Sequence, residues 1–436
     1  MNNATIPAVP AVQSPESTAT EPMATERTAA ALNRSLRWAK ILWIVVALAV
    51  AVKTIATPTI HTVFPKNTAH AMCWWQGTSL YDHIPELGHF PYLPTHAILL
   101  SPFAVLGMTV GGIVWTWFNM AVLWIGLRRL VRDVLPPSAQ LREATYLSLA
   151  MLGAIRGIWN AQGNMLIIGL FMLSVSAMVR NRWWQAATLM TIPVYMKTWP
   201  IAMALLLVAV AIRPMAWRFA IMLAAGALLP FLTQRPSVVI WQYQTWAQYM
   251  GTISSMKGVY RDLRGVLYEL KWPPSKMTVL VWQAVTGLLA LVWVLWIRRR
   301  WSDIEQEQGR GQEREQRQEQ RQGLVVMLTL SIGAIWCMLF GVATEYNTLV
   351  VYTPTACWIL ISSLQRREGR FLAVLCFALP LMLGAGALER ILVKFSPLAL
   401  WSIPAGLVCG FIWLARYGTR QSKLRGGEYS SDSAKT

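Results

Sequence analysis

Charge is what this chain has least of. Only 14% of its 436 residues are Asp, Glu, Lys or Arg, where a soluble protein has about 25%. Acids are the scarcer sign, 20 against 39 Lys and Arg, and none lies in the middle of an apolar run. Proton-coupled transporters and pumps carry ionisable groups at mid-membrane, so this shortage argues against that class. Of five cysteines, Cys337, Cys357, Cys376 and Cys409 fall within apolar runs and Cys73 alone in a loop, which leaves no framework for disulfides or structural zinc. Residues 1–35 are rich in Ala, Thr, Pro and Ser and lack the apolar segment of a secretory leader. They read as a disordered tail, and membrane insertion then starts with the first span.

Apolar length is what the chain has in abundance. It is 55% hydrophobic with a mean hydropathy of +0.41, and apolar runs of roughly 17 to 25 residues recur along it. An all-α polytopic membrane protein follows, because only helices and closed barrels satisfy their backbone groups in a bilayer. The net charge of +19 sits mostly in short loops between runs. That pattern fits orientation by the positive-inside rule and not nucleic-acid binding.

The first span covers residues 38–58, and Arg34, Arg37 and Lys40 ahead of it place the N-terminus in the cytoplasm. Residues 95–106 are too short to cross, so they read as a half-helix before a full crossing at 110–127. Further runs lie at 144–159, 163–179, 183–196, 198–212, 217–233, 277–297, 324–342, 347–364, 371–388 and 398–416. The expectation is one membrane domain over residues 36–417 with about twelve crossings, both termini cytoplasmic, and a tail at 418–436. Large outer loops occupy 59–94 and 234–276. The second holds a segment, SVVIWQYQTWAQYMGTI, that reads as a helix lying in the interface. A mixed-charge insert at 298–323 is solvated and cytoplasmic.

The first outer loop gathers all five histidines together with Asp82 and Glu86. Few other acids face outside; they are Asp262, Glu269, Glu345 and Glu389. The spacing Asp82–Glu86 would put both on one helical face, against the plainer reading of a loop cap or surface ion pair. Asp262 reads as a local partner of Arg261 or Arg264. Arg156 and Lys197 lie within otherwise apolar segments at breaks near the outer face. A cation there is costly unless it meets an anion, and a lipid phosphate would supply one. Plain anchoring at the interface is the competing reading. Neighbouring Asn160, Gln162, Asn164 and Tyr195 favour the phosphate site. The histidine spacings match no helical two-ligand motif, so no bound metal is expected.

Three short motifs in order carry a resemblance. Gly77, Leu80 and Tyr81 form G-x-x-L-Y, followed by F-x-Y-x-P at Phe90, Tyr92 and Pro94 and an apolar half-helix. Ala161-Gln162-Gly163-Asn164 and Lys197-Thr198-Trp199-Pro200 come next. This pattern resembles glycosyltransferase family 87, the polyprenol-phosphate-mannose-dependent membrane transferases of GT-C type, whose second and third motifs are Gly-Gln-x-Asn and Lys-x-x-Pro. The resemblance covers roughly residues 36–235, and the last four spans agree only in hydropathy.

The resemblance implies a GT-C-like fold and a donor whose sugar is joined through phosphate to a polyprenol lying in the bilayer. A carboxylate in the first outer loop would take the proton of an acceptor hydroxyl, which attacks the anomeric carbon with inversion. Basic groups would hold the departing polyprenyl phosphate: Lys197, Arg156 and Lys66, with Gln162 and Asn164 beside them. Trp74, Trp75, Tyr81, Tyr92 and Trp199 are candidates for sugar or lipid contact, against interfacial anchoring. No metal or cofactor is implied. The partners would be the lipid-linked donor, a glycolipid or glycan acceptor and membrane lipids, at the extracytoplasmic side of the plasma membrane.

One departure matters. The family's outer-loop aspartate stands about fourteen residues before the glycine matching Gly77, and that position here is Val63. Asp82 or Glu86, which share the loop, is the favoured replacement; otherwise Glu345 would reach in from another wall. His61 and His70, flanking the place, are further candidates for base or phosphate partner. A lipid-linked-sugar transporter or flippase, and a relative that binds without catalysing, are the alternatives.

Overall fold

A backbone in an apolar bilayer must satisfy its polar groups within its own segment, and helix is the outcome throughout; among the described residues no strand forms. The computed structural model describes residues 21–82, 90–253, 260–303, 312–341, 344–383 and 387–432. Along the chain come α1 (Glu21–Ala56), α2 (Phe64–Gln76), α3 (Pro94–Ala104), α4 (Met108–Arg129), the short α5 (Pro137–Gln140), α6 (Glu143–Trp159), α7 (Asn164–Val179), α8 (Trp183–Met196) and α9 (Ile201–Val210). There follow α10 (Ile212–Leu228), α11 (Pro236–Ile253), α12 (Leu263–Glu269), α13 (Lys276–Asp303), α14 (Gln312–Phe340), α15 (Thr353–Arg366), α16 (Arg370–Ala378), α17 (Ala387–Phe395) and α18 (Ser402–Asp432). Both α1 and α18 extend into stretches expected as tails.

Among the described residues, six helical stretches are long and apolar enough to cross a bilayer: Ala30–Ala56, Met108–Val134, Ile212–Leu232, Lys276–Arg300, Gln318–Phe340 and Pro397–Arg420. About twelve were expected, and the difference has a physical reason. Hydropathy marks an apolar run, whereas the helix inside it can be cut short. The run at 198–212 contains only the ten residues of α9, roughly 15 Å at 1.5 Å per residue. All of α7 except Leu173 is buried, so protein surrounds it. The long helices α1, α10 and α13 are the opposite: Val52, Leu228 and Leu288 are each more than 60% exposed, as a lipid-facing surface requires.

Small residues bring the inner helices together, as is usual where packing rather than water drives association. A Cβ on Gly126 of α4 would stand 2.7 Å from the Gly169 carbonyl oxygen of α7, and one on Gly169 would stand 2.8 Å from the Val122 oxygen. Neither backbone can retreat, so this crossing admits glycine alone.

The connections gather at two poles. At one, Arg128 and Arg132 hold Glu143 at 2.5 and 2.9 Å, and Arg180 holds Asp133. Gln322 donates to the Met178 carbonyl, and Arg298 to that of Ala209. This is the basic pole. At the other, Lys53 Nζ donates to the carbonyls of Ile60, His61 and Trp159 at 2.7, 3.2 and 3.3 Å. The Val63 amide donates to the Asn160 carbonyl at 3.0 Å, and Thr95 Oγ1 to that of Gly226. That site pole carries the residues singled out above.

Candidate functional site

The first wall of the site is α2, in a stretch expected as loop. Pro65 starts it, with ring geometry suited to a first helical turn, and Gly77 at φ 69° stops it in a left-handed cap. Lys66 and His70 stand four residues apart and so share a face. His70 is fully buried and tilts against Phe90, ring centroids 4.6 Å apart. Burial lowers its pKa to about 4, Lys66 adds to this, and contact with the Leu80 backbone opposes it. The ring is therefore neutral in the folded protein. Because its folded pKa lies below the unfolded value, its contribution to stability is complete above pH 6.5 and is lost as pH falls from there towards 4. Thermal unfolding of the solubilised protein should lose stability over that window, and His70→Phe should flatten the loss; an unchanged slope would contradict it.

The second wall is the α8–α9 break. Pro200 disfavours helix at the residue before it, and Lys197 is extended at φ −149°, ψ 145°. Its ammonium lies over the Tyr92 ring at 5.9 Å. Tyr92 stacks on His96 at 4.4 Å, and His96 Nδ1 meets the Met196 carbonyl oxygen at 2.8 Å. A carbonyl only accepts, so Nδ1 carries the proton. Burial keeps the ring neutral, its pKa lowered to about 3, and Nε2 is left as a buried acceptor with no partner among the described residues. His96 also heads a slot of about 210 Å³ between α3, α4, α7 and α8, lined otherwise by apolar side chains such as Leu100, Phe103, Leu166 and Met196. A polar cluster thus opens onto an oily groove.

The third wall is the segment Glu345–Asn347. Arg261 Nε pairs with Glu389 at 2.7 Å, both buried; the Tyr346 hydroxyl donates to the same carboxylate. Arg156 and Arg261 lie over the Tyr346 ring at 5.3 and 5.1 Å. Asp262 caps α12 through the Gly265 amide at 2.7 Å and accepts from Thr344 N at 3.2 Å. Asn160 and Asn164 donate to Asn347 at 3.0 and 3.1 Å. Glu345, exposed and held in this frame, is the carboxylate that acts on both lysines. Burial lowers the pKa of Lys66 and of Lys197, and Glu345 raises each in part. Burial and then Glu345 also raise the pKa of Tyr92 and Tyr260. Two lysines against one carboxylate leave a single positive charge.

The expected residues divide. Lys66, His70, Tyr92, Lys197 and Glu345 converge, and Arg156 joins their wall through Tyr346. Arg156 lies in the last turn of α6, not at a break. Asn164 is fully buried with Oδ1 unpartnered among the described residues, and Gln162 is buried at the same turn. Trp74 is fully buried against Leu80, Phe90 and Val239, with Nε1 on Thr233. Tyr81 is buried there too, its hydroxyl donating to the Tyr92 carbonyl at 3.0 Å. Both belong to the packing under the site. Trp75 is 47% exposed and donates to Ser101; Trp199 packs against the main core. His61 is exposed in a left-handed turn. Asp82 is exposed in the bend after Tyr81, and Glu86 lies outside the described residues. His96, Tyr346, Asn347, Arg261 and Glu389 were not singled out for the site from sequence. The histidine-rich first loop and the short list of outer acids were the signals that pointed towards His96 and Glu389.

Ala161 adopts φ 50°, a left-handed conformation costing an L-residue roughly 1–2 kcal/mol. The turn aims its carbonyl at Trp115 Nε1, 2.9 Å away. The resembling motif has glycine at this position, which removes the cost. Ala161→Gly should stabilise the protein by up to ~1 kcal/mol, since glycine returns part of the gain as chain entropy; a lower melting temperature would contradict this.

A family model described as glycosyltransferase family 87 matches residues 90–307, half the chain, including the α6–α7 and α8–α9 turns. No curated protein and no solved structure matches it.

Proposed function

This chain belongs to glycosyltransferase family 87, and from that premise we propose that it moves a hexose, mannose by the resemblance, from a polyprenyl-phosphate carrier to an acceptor hydroxyl. The observation that carries the reading is the apolar slot headed by His96 where Lys197 and Tyr92 meet. An amphiphile with a phosphate at the junction of headgroup and chain fits it: isoprenoid chain in the slot, phosphate at Lys197 and Lys66, sugar towards Glu345.

The charges agree with that placement. A sugar linked through a phosphodiester carries one negative charge, matching the single positive charge of the two lysines and Glu345. On transfer the acceptor oxygen forms a bond to the anomeric carbon, and the bond from that carbon to the phosphate oxygen breaks. Glu345 takes the acceptor proton, and polyprenyl phosphate departs with an added negative charge. Two preorganised ammonium groups favour that charge more than the diester they first bind, which is the differential a catalyst needs. His96 Nε2, an acceptor in a dry site, suits a sugar hydroxyl. A single displacement inverts the anomeric centre, and no metal is called for.

On this reading the site pole is extracytoplasmic and the basic pole cytoplasmic, in accord with the positive-inside rule. The chain would traverse the plasma membrane about twelve times, the shorter helices crossing within a sheath of longer ones. Proteoliposomes containing the protein, labelled polyprenyl-phosphate-mannose and a glycolipid acceptor test the proposal. Label should pass to the acceptor; label that changes leaflet while staying on its carrier would favour the flippase instead.

A further inference from the structure

At the basic pole the turn between α15 and α16 folds back through two left-handed residues, Arg367 and Gly369, both at φ 59°. A Cβ on Gly369 would lie 3.2 Å from the Trp413 indole. The turn and the middle of α18 border a cavity of about 500 Å³ that shares no lining residue with the slot headed by His96. Arg366, Arg416 and Arg420 line it against one acid, Glu368. Trp413 and Tyr417 stack at 4.8 Å to form its aromatic side. The Arg366 guanidinium lies on the Tyr417 ring at 4.8 Å and donates to its hydroxyl at 3.0 Å, while Trp413 Nε1 donates to Ser363 Oγ at 2.6 Å.

Three cations against one carboxylate leave two positive charges. The pair between Arg420 and Glu368 is half exposed on both sides, so it does little to stabilise the fold. Arg416 has no paired acid among the described residues. The cavity stands at the end of the candidate span Pro397–Arg420. Beside it Leu364, Phe371 and Val374 are 53%, 75% and 48% exposed, an apolar surface that the bilayer covers. Positive charge, aromatic rings and lipid-facing side chains therefore meet at headgroup level.

We propose that this cavity binds the phosphate headgroup of an anionic phospholipid, with the acyl chains lying along the exposed face of α16. The guanidinium fork matches phosphate oxygens through paired charge-assisted hydrogen bonds. Basic pockets between membrane helices hold anionic headgroups in this way, and the stacked Trp413 and Tyr417 sit where interfacial aromatics do. The choline headgroup offers no net charge to the two uncompensated arginines. The assignment is independent of the transfer reaction.

The test uses full-length protein in micelles, titrated separately with phosphatidylglycerol, phosphatidylcholine, inorganic phosphate and polyprenyl phosphate, and read by native mass spectrometry and thermal shift. Phosphatidylglycerol should bind at least tenfold more tightly than phosphatidylcholine and raise the melting temperature. R416Q should weaken it several-fold and R416Q/R420Q at least tenfold, with R416Q keeping the Arg366–Tyr417 contact so that the fold is retained. Undiminished binding in both variants would overturn the site. Equal affinity for inorganic phosphate, or preference for polyprenyl phosphate, would overturn the assignment to a phospholipid.

Discussion

Lys197→Ala should reduce sugar transfer by roughly a hundred- to a thousandfold, the size of effect seen when one preorganised partner of a developing negative charge is removed. The ammonium is placed by backbone, not by chance rotamers: α8 ends at Met196, and Pro200 keeps the next turn from starting early. It lies over the Tyr92 ring, and its electrostatic partners include Glu345 and Lys66. Alanine would leave Lys66 as the one lysine to offset the negative charge that the departing phosphate gains while Glu345 takes up the acceptor proton. On the proposed reading the loss should fall mainly on kcat, because an isoprenoid chain would still bind in the slot below His96 and the charge that needs Lys197 would appear as the bond breaks. Lys197→Arg keeps the charge but spreads it over a larger planar group and should recover only part of the rate. Initial rates in proteoliposomes across donor concentrations measure both parameters. A wild-type kcat in Lys197→Ala would remove the lysine from the mechanism.

Much of the frame was legible because proline and glycine punctuate it. The half-helix α3 starts at Pro94 and ends before Gly107, whose φ of 77° separates it from α4. The K-T-W-P break showed in the sequence for the same reason, and the Trp-spaced stretch became α11 as expected. Sequence did not show its docking: Gln242 accepts from Leu80 N at 3.1 Å and donates to the Thr78 carbonyl at 2.7 Å, which holds the helix on the first loop. The helix α2 went unread although Pro65 and Gly77 bracket it, because its polar face masked an amphipathic period. Hydropathy showed the apolar runs but not the length of helix that each one holds, as at α9. The site's third wall was beyond reach for a different reason. Arg261 and Glu389 are 128 residues apart in sequence, and nothing local marks them as partners. Sequence could show that Glu345 was one of a few acids, but only the fold brings it to Lys66 and Lys197.

Glu345→Gln carries the other large expected effect. Removing a general base costs typically about 10²–10⁴-fold, and glutamine keeps the shape while losing the proton acceptor, so kcat should fall within that range with little change in donor KM. The position that the resemblance assigns to the base lies close by in the fold. Val63 opens α2, its amide donating to the Asn160 carbonyl, and the Asn160 side chain donates to Asn347, two residues beyond Glu345. A carboxylate at 63 would therefore enter the same corner from the opposite wall, and aspartate is a favoured residue at a helix start. Val63→Asp alone should fold and retain activity. In the Glu345→Gln background it should restore at least a tenfold part of the lost rate, a rescue that a purely structural role for Glu345 would not produce. Should Glu345→Gln keep full activity, the base must come from the first loop, and Asp82→Asn and Glu86→Gln then divide the remaining candidates. Rescue, by contrast, would mean that the corner between α2 and Asn347 is where the acceptor proton leaves, whichever chain segment supplies the carboxylate.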